Sequence, residues 1–289
     1  MPGLTENQLD LRHYMKRLQL HNQWVLVTGA SSGLGQEMAR QLAHIHKANL
    51  IIVARRQEKL EQLKTELEQS AGIQVKVIAA DLSVLADVDR VIAQSLEGGQ
   101  LYAAILNAGL TYFGRHTELP WERFESMLQT NVVGVLRLTS ALVKHFETSG
   151  KEGGVMIVSS MAALYPVPYQ AAYSATKAFL LSFGNALSHE LRNKRFSVTV
   201  YAPAGIATEM TGGEAFSGLQ SWLMPVSQAA GEGLQALIKR KYSHIPGRLN
   251  RLGSLFMHLL PKKFVAGRMS KIYYKSLLQS EAAATKAHQ

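Results

Sequence analysis

Short apolar runs alternate with amphipathic segments along most of this chain. The runs cover residues 24–28, 49–53, 75–79, 102–106, 155–158 and 196–201. Each is short, uninterrupted and rich in Val, Ile, Leu or Ala, as suits a strand buried on both faces. Between them, segments such as 36–46 and 57–69 place apolar residues about 3.6 apart among helix formers. The repeated order of strand, helix and strand predicts an α/β fold, a single doubly wound parallel sheet. Ligands bind such a sheet beyond the carboxyl ends of its strands, so the chemistry is expected just after each apolar run. The pattern divides the chain into an amphipathic lead-in over 1–22, a central domain over 23–241 and a C-terminal extension over 242–289. The lead-in carries Leu9, Leu11, Tyr14, Met15 and Leu18 among charged neighbours.

Composition sharpens this reading. The chain has 289 residues, 47% apolar and 18% charged, enough for one large core and too apolar for disorder. No apolar run approaches the ~18 residues of a membrane-spanning helix. Glu6, Asp10, Arg12, Lys16 and Arg17 interrupt the first twenty residues, so no cleaved signal peptide is expected. The absence of Cys excludes disulfides, Cys-ligated zinc and a thiol nucleophile, and it fits a reducing, cytoplasmic setting. Charge is unevenly placed. Residues 233–280 hold ten of the 31 basic residues and no Asp or Glu, which leaves 21 basic against 21 acidic residues elsewhere. All of the net +10 therefore lies in one tract, which suits a phosphate-bearing partner: a lipid surface, an anionic substrate or a nucleic acid.

Four constellations follow the apolar runs. Thr28 leads into Gly29-Ala-Ser-Ser-Gly33-Leu-Gly35, a glycine-rich turn that opens a helix. Such a turn lets a pyrophosphate approach bare backbone amides at the positive end of a helix. The second run ends in Ala54-Arg55-Arg56, where an acidic residue would hold a ribose hydroxyl and repel a 2′-phosphate. Ala54 supplies no carboxylate, and Arg55 offers a fork of donors. Tyr173 and Lys177, spaced i and i+4 in a helical pattern, share a face. A neighbouring ammonium favours the phenolate and is expected to bring Tyr173 towards neutral pH. The fifth run ends at Ser159-Ser160, thirteen residues before Tyr173, where a hydroxyl can reach the same substrate oxygen.

Taken together, the four make the sequence similar to the short-chain dehydrogenase/reductase family over roughly residues 22–241. The pieces that carry the resemblance are Thr28-Gly-Ala-Ser-Ser-Gly-Leu-Gly35, Asp81-Leu82, Asn107-Ala-Gly109, Asn131, Ser160, and Tyr173 with Lys177. The resemblance implies a seven-stranded parallel sheet and NAD(P)-dependent hydride transfer, with NADP(H) preferred over NAD(H). In that pattern Ser160 binds the substrate oxygen and Tyr173 passes it a proton. Lys177 holds the nicotinamide ribose and lowers the pKa of Tyr173, Asn131 holds a relay water, and Asp81 faces the adenine. It implies cofactor contacts from Gly29, Ser31, Ser32, Gly33, Leu34, Gly35, Arg55, Arg56, Asp81, Leu82, Asn107, Ala108, Gly109, Pro203, Ile206 and Thr208, besides Tyr173 and Lys177. Two departures stand out: Leu106 replaces the family's first Asn before Asn107, and Ala204 occupies the place of a Gly after Pro203.

Other chemistries fit less well. Ser174-x-x-Lys177 has the spacing of serine acyl-enzymes, but the Lys-Thr-Gly strand they require is missing. There is no His-Glu-x-x-His, and His44 and His46 diverge on a helix, so no metal site is expected. Nucleic-acid binding rests on the tail's charge alone. A catalytically silent NADP-binding sensor or scaffold at a membrane surface would be expected to lack Ser160, Tyr173 or Lys177, and all three are present.

Large apolar side chains surround the expected site. Met210, Phe216, Leu219, Trp222, Leu223 and Met224 lie in a stretch, 209–225, expected to form a lid, and Tyr112, Phe113, Leu164, Tyr165 and Tyr169 follow the fourth and fifth runs. They suit either plain core packing or a pocket for a small apolar carbonyl or alcohol, of lipid-like or 3-oxoacyl type. In the tail, Leu252, Leu255, Phe256, Leu259 and Leu260 fall on one helical face ended by Pro261. Beyond it Phe264, Val265, Met269, Ile272, Tyr273 and Leu277 interleave with Lys262, Lys263, Arg268, Lys271 and Lys275. The favoured expectation is that this apolar face packs back on the domain and leaves a basic rim, and the rival is an interfacial helix on anionic lipid. A homo-oligomer is compatible with either.

Overall fold

In the computed structural model, residues 16–208 and 223–287 are described. They form seven parallel strands in one sheet, ordered β3-β2-β1-β4-β5-β6-β7. The strands are β1 (Trp24–Thr28), β2 (Asn49–Ala54), β3 (Val75–Ala79), β4 (Leu101–Leu106), β5 (Gly153–Val158), β6 (Phe196–Tyr201) and the short β7 (Ser243–His244). The six expected runs are therefore strands, and the two-residue β7 is too brief to show as an apolar run.

Alternation within the runs feeds two cores. Val25, Val27, Leu50, Ile52 and Ile105 face α1 (Gly33–His44), α2 (Gln57–Ala71) and α7 (Val226–Ile238). Leu26, Ile51, Val53 and Ala104 face α3 (Leu85–Leu96), α5 (Val135–Ser149) and α6 (Ala171–Glu190). Successive strand side chains point to opposite faces, so a sheet covered on both sides needs an unbroken apolar run. The helices meet it with single stripes: Leu34, Met38 and Leu42 in α1, and Leu60, Leu63 and Leu67 in α2, are all buried. Burying each such side chain is worth ~1.5–3 kcal/mol.

The topological switch lies between β1 and β4, which pair in parallel although they are not consecutive. Their carboxyl ends are tied by two side chains, Thr28 and Asn107. Thr28 Oγ1 accepts from the backbone N–H of Asn107 at 3.0 Å and of Ala108 at 3.1 Å, and Asn107 Nδ2 donates to Thr28 O at 3.1 Å.

Both ends of the described chain join this domain. Leu18 and Leu20 are core residues, and Leu18 N donates to Ile238 O. The lead-in positions Leu9, Leu11, Tyr14 and Met15 lie outside the described residues. After β7, α8 (Arg248–His258) leads through Pro261 into α9 (Lys262–Ala287). Among the described residues no helix is long and apolar enough to cross a membrane.

The tail's apolar positions do not behave alike. Val265 and Leu277 of α9 are buried, as packing requires, but Leu252, Leu255, Phe256 and Leu259 of α8 are 64–79% exposed. The expectation that this stripe packs back on the domain is corrected: α8 rests on Ser254, which is 5% exposed, and turns its leucines outward.

The basic tract is also less uniform than its composition. Arg240 is buried, with Nη1 donating to Gly153 O and Arg195 O at 2.9 Å, Nε to Lys16 O at 2.9 Å, and Nη2 paired with Glu152 at 2.6 Å. It is a structural clamp between α7, the lead-in and the sheet. Arg251 pairs with Glu232.

Candidate active site

The glycine turn between β1 and α1 packs against the loop after β4. Gly29 has φ of +70°, and a Cβ there would lie 2.9 Å from Ala108 Cα. A Cβ on Gly35 would collide with the carbonyl of Gly29. Glycine is thus required by backbone conformation at one position and by close approach at the other. Ser32 enters α1 with extended backbone, and its side chain caps no amide. The N–H groups of the first turn, which include those of Gly33, Leu34 and Gly35, lack intrahelical partners and can accept an anion.

The two arginines after β2 divide their work. Arg56 donates from Nε and Nη2 to Ser31 Oγ, at 3.2 and 3.1 Å, and so braces the glycine turn. Arg55 is largely exposed, and its Nη1 stands 3.9 Å from Asp81 Oδ2. Asp81 Oδ1 accepts from the backbone N–H and the hydroxyl of Ser83, which fixes the carboxylate at the end of β3. The neighbouring Leu82 is buried.

The polar cluster at the other side of the switch comes from β5, α6 and a π-helical turn, Gln129–Gly134, between α4 (Trp121–Leu128) and α5. Such turns widen a helix and recur at functional sites. Asn131 sits there fully buried. Its Nδ2 donates to Leu110 O at 2.9 Å and to Thr176 Oγ1 at 3.0 Å, and its Oδ1 accepts from Leu110 N at 2.7 Å. The amide N–H groups are therefore committed to bracing the β4 loop on α6. Gly109 lies against both groups: a Cβ on it would come within 3.2 Å of Asn131 Oδ1 and 3.3 Å of Lys177 Nζ.

Tyr173 and Lys177 lie one turn apart on α6, and Ser160 lies at the end of β5. The Ser160 hydroxyl faces the Tyr173 phenol, and its Oγ accepts from Ala162 N at 3.1 Å. Lys177 is 4% exposed and donates to Val158 O at 3.0 Å, with Nζ 5.9 Å from the centre of the Tyr173 ring. Burial pushes Lys177 down to about 8, so the ammonium persists at neutral pH. Burial also pushes Tyr173 up, the facing Ser160 hydroxyl pulls it back, and the nearby Tyr273 phenol adds to the rise. Among the groups acting on Tyr173 in the protein alone, burial dominates and Ser160 opposes it.

Two residues named in the sequence have roles it did not assign. Ser159 Oγ donates to Lys177 O at 2.7 Å and latches α6 to β5, and Thr28 laces β1 to β4. A buried hydroxyl at a strand end was their only signal. After β6, Met161 N donates to Pro203 O at 2.8 Å, Ile206 bridges Met224, and the Thr208 side chain lies beside Gly33. The chain after Pro203 thus returns to the glycine turn. Met210, Phe216, Leu219 and Trp222 of the expected lid lie outside the described residues.

An aromatic wall not foreseen as a unit rises beside Tyr173. Tyr273 of α9 packs on Phe113 with ring centres 5.6 Å apart, and Tyr274 stacks on Tyr169 at 6.0 Å under the Arg115 guanidinium. Tyr169 adopts φ of +64°, a strained conformation for a bulky residue. Burial pushes Tyr165 up to about 12. The C-terminal helix, not only the loops, walls this site. Among the described residues no group of acidic or His side chains suits a metal ion.

A parallel sheet with a glycine turn at its switch point and a Ser-Tyr-Lys cluster across from it defines the class. The chain belongs to the short-chain dehydrogenase family, whose model matches residues 23–215. It is 34% identical over 196 residues to 17-beta-hydroxysteroid dehydrogenase type 3 of Mus musculus, a match covering 67% of this chain and 63% of that protein. The chain thus aligns with less than two thirds of that relative's length. Among solved structures it is similar to one from work on 7beta-hydroxysteroid dehydrogenase stereoselectivity, with a TM-score of 0.77 and 26% identity over 89% of this chain and 100% of that one. A short-chain dehydrogenase from Sphingobium yanoikuyae in complex with NADPH gives a TM-score of 0.74 and 28% identity, over 82% of this chain and 94% of that one.

Proposed function

We propose that this chain is an NADPH-preferring carbonyl reductase and alcohol dehydrogenase acting on an apolar, lipid-like or 3-oxoacyl ketone. The observation that carries the reading is the convergence of Ser160, Tyr173 and the buried Lys177 at the carboxyl edge of the sheet next to the glycine turn.

The residues fit a dinucleotide. Uncapped amides at α1 would meet its pyrophosphate, Gly29 and Gly35 keep side chains out of that turn, and Asp81 and Leu82 would flank the adenosine end. Asn107, Ala108 and Gly109 would line the far side, with Pro203, Ile206 and Thr208 beyond. Arg55, exposed and next to Asp81, would pair with a 2′-phosphate. A nicotinamide held there would supply a hydride to the carbonyl carbon. Ser160 donates to the carbonyl oxygen and holds it beside the phenol. Tyr173 gives that oxygen its proton, and Lys177, charged at neutral pH, stabilises the phenolate that remains. Asn131 positions the loop after β4 and holds a water that returns the proton.

The aromatic wall of Phe113, Tyr165, Tyr169, Tyr273 and Tyr274 supports an apolar substrate over a sugar or small diketone. The test is purified protein with NADPH or NADH against a steroid ketone, a 3-oxoacyl thioester and a small diketone. The reading expects higher kcat/KM for the apolar ketones and for NADPH. Highest kcat/KM on the diketone would contradict the substrate class.

A further inference from the structure

Helix α8 is amphipathic in the wrong sense for a helix that only packs on its domain. Leu249, Leu252, Leu255, Phe256 and Leu259 are 84%, 65%, 66%, 64% and 79% exposed. At 100° per residue they occupy one arc of about 120°, while Ser254 on the opposite side is buried against the domain. Five large apolar side chains held together in water carry a cost that a monomeric surface normally avoids.

The charge around this arc selects its partner. From residue 233 to 280 there is no acidic residue. Of the ten cations there, Arg240 is buried with Glu152 and Arg251 is paired with Glu232, and the other eight are exposed. Arg248 falls within the apolar arc, and Lys262 and Lys263 follow directly after Pro261, next to the exposed Phe264. A second copy of this face would bring like charges together. An anionic bilayer satisfies both features, because leucine and phenylalanine enter the acyl boundary while arginine and lysine meet phosphate headgroups.

We infer that α8 docks the protein on an anionic membrane surface through Leu249, Leu252, Leu255, Phe256 and Leu259, with Arg248, Lys262 and Lys263 at the headgroups. The helix lies in the interface and does not cross it. Because only residues 259–261 separate α8 from α9, docking sets the aromatic-walled end of the domain near the lipid. This inference stands on exposure and charge, and it holds whether or not the proposed ketone chemistry does.

The test is sedimentation of the full chain with vesicles of phosphatidylcholine alone or of phosphatidylcholine and phosphatidylserine in equal parts. Pelleting is expected with the mixed vesicles at low salt, with release at high salt. Removing one headgroup cation weakens partition about fivefold, so Lys262→Glu/Lys263→Glu should abolish pelleting. Leu252→Glu/Phe256→Glu should abolish it too, with thermal unfolding unchanged because both side chains are already in water. Pelleting unaffected by both double variants would overturn the inference, as would no pelleting of the unaltered chain. A concentration-dependent dimer that Leu252→Glu/Phe256→Glu dissociates, without vesicle binding, would overturn it in favour of self-association.

Discussion

Ser160 at the end of β5 faces the phenol of Tyr173 in α6, thirteen residues further along the chain. The contact closes the crossover from sheet to helix, and it is the interaction that opposes burial in setting the state of the phenol. It also depends on Ser159, whose hydroxyl holds the Lys177 carbonyl and so fixes α6 against β5. Two adjacent serines therefore serve different ends, one orienting the helix and the other touching its phenol.

Cofactor choice is expected to rest on Arg55 and cofactor binding on Arg56. Arg55→Ala removes a charge-assisted contact of ~1.5–3 kcal/mol, or roughly ten- to a hundredfold in kcat/KM with NADPH, and spares NADH. Arg56→Ala frees Ser31 and the glycine turn, so it should weaken both cofactors alike. Steady-state kinetics of the two variants with each cofactor check this. An equal loss for both cofactors in Arg55→Ala would contradict it.

The buried ammonium of Lys177 should leave a mark on stability. Its pKa is about 8 in the fold and about 10.4 in the unfolded chain. Below about 8 both states bind the proton, and the fold carries the cost of a buried charge. Between about 8 and 10.4 the unfolded state binds more protons, so stability rises with pH from this group, by roughly 3 kcal/mol in full. Lys177→Met should flatten that rise in urea-unfolding midpoints measured from pH 7.5 to 9.5, about the window the two pKa values set. Parallel curves for the two proteins would contradict it.

Much of the fold was legible because buried parallel strands need unbroken apolar runs, and residues 24–28 or 196–201 offer no other reading. The site was legible because its groups sit at fixed places after those runs. What the sequence concealed were relationships set by packing. Periodicity shows that Leu252, Leu255, Phe256 and Leu259 share a face, but not that this face turns outward. Composition counted Arg240 as tail charge, whereas four carbonyl and carboxylate groups hold it inside. Tyr273 lies one hundred residues from Tyr173, and nothing local to either brings the two together.

Arg240 gives a clear stability test. Arg240→Ala leaves the carbonyls of Gly153, Arg195 and Lys16 without this donor and Glu152 without its cation, which should cost ~3–5 kcal/mol. Urea denaturation monitored by Trp fluorescence measures it. A loss within ~0.5 kcal/mol, as for an ordinary surface substitution, would show the clamp to be dispensable.

The central claim is that the Tyr173 phenol gives the proton that completes carbonyl reduction, and Tyr173→Phe tests it most directly. The substitution removes one oxygen and leaves the ring, the helix and Lys177 in place. The decisive measurement is NADPH oxidation with an apolar ketone, alongside NADPH binding by fluorescence. The account predicts unchanged NADPH affinity with turnover reduced ~10²–10⁴-fold. Turnover near that of the unaltered protein would contradict it.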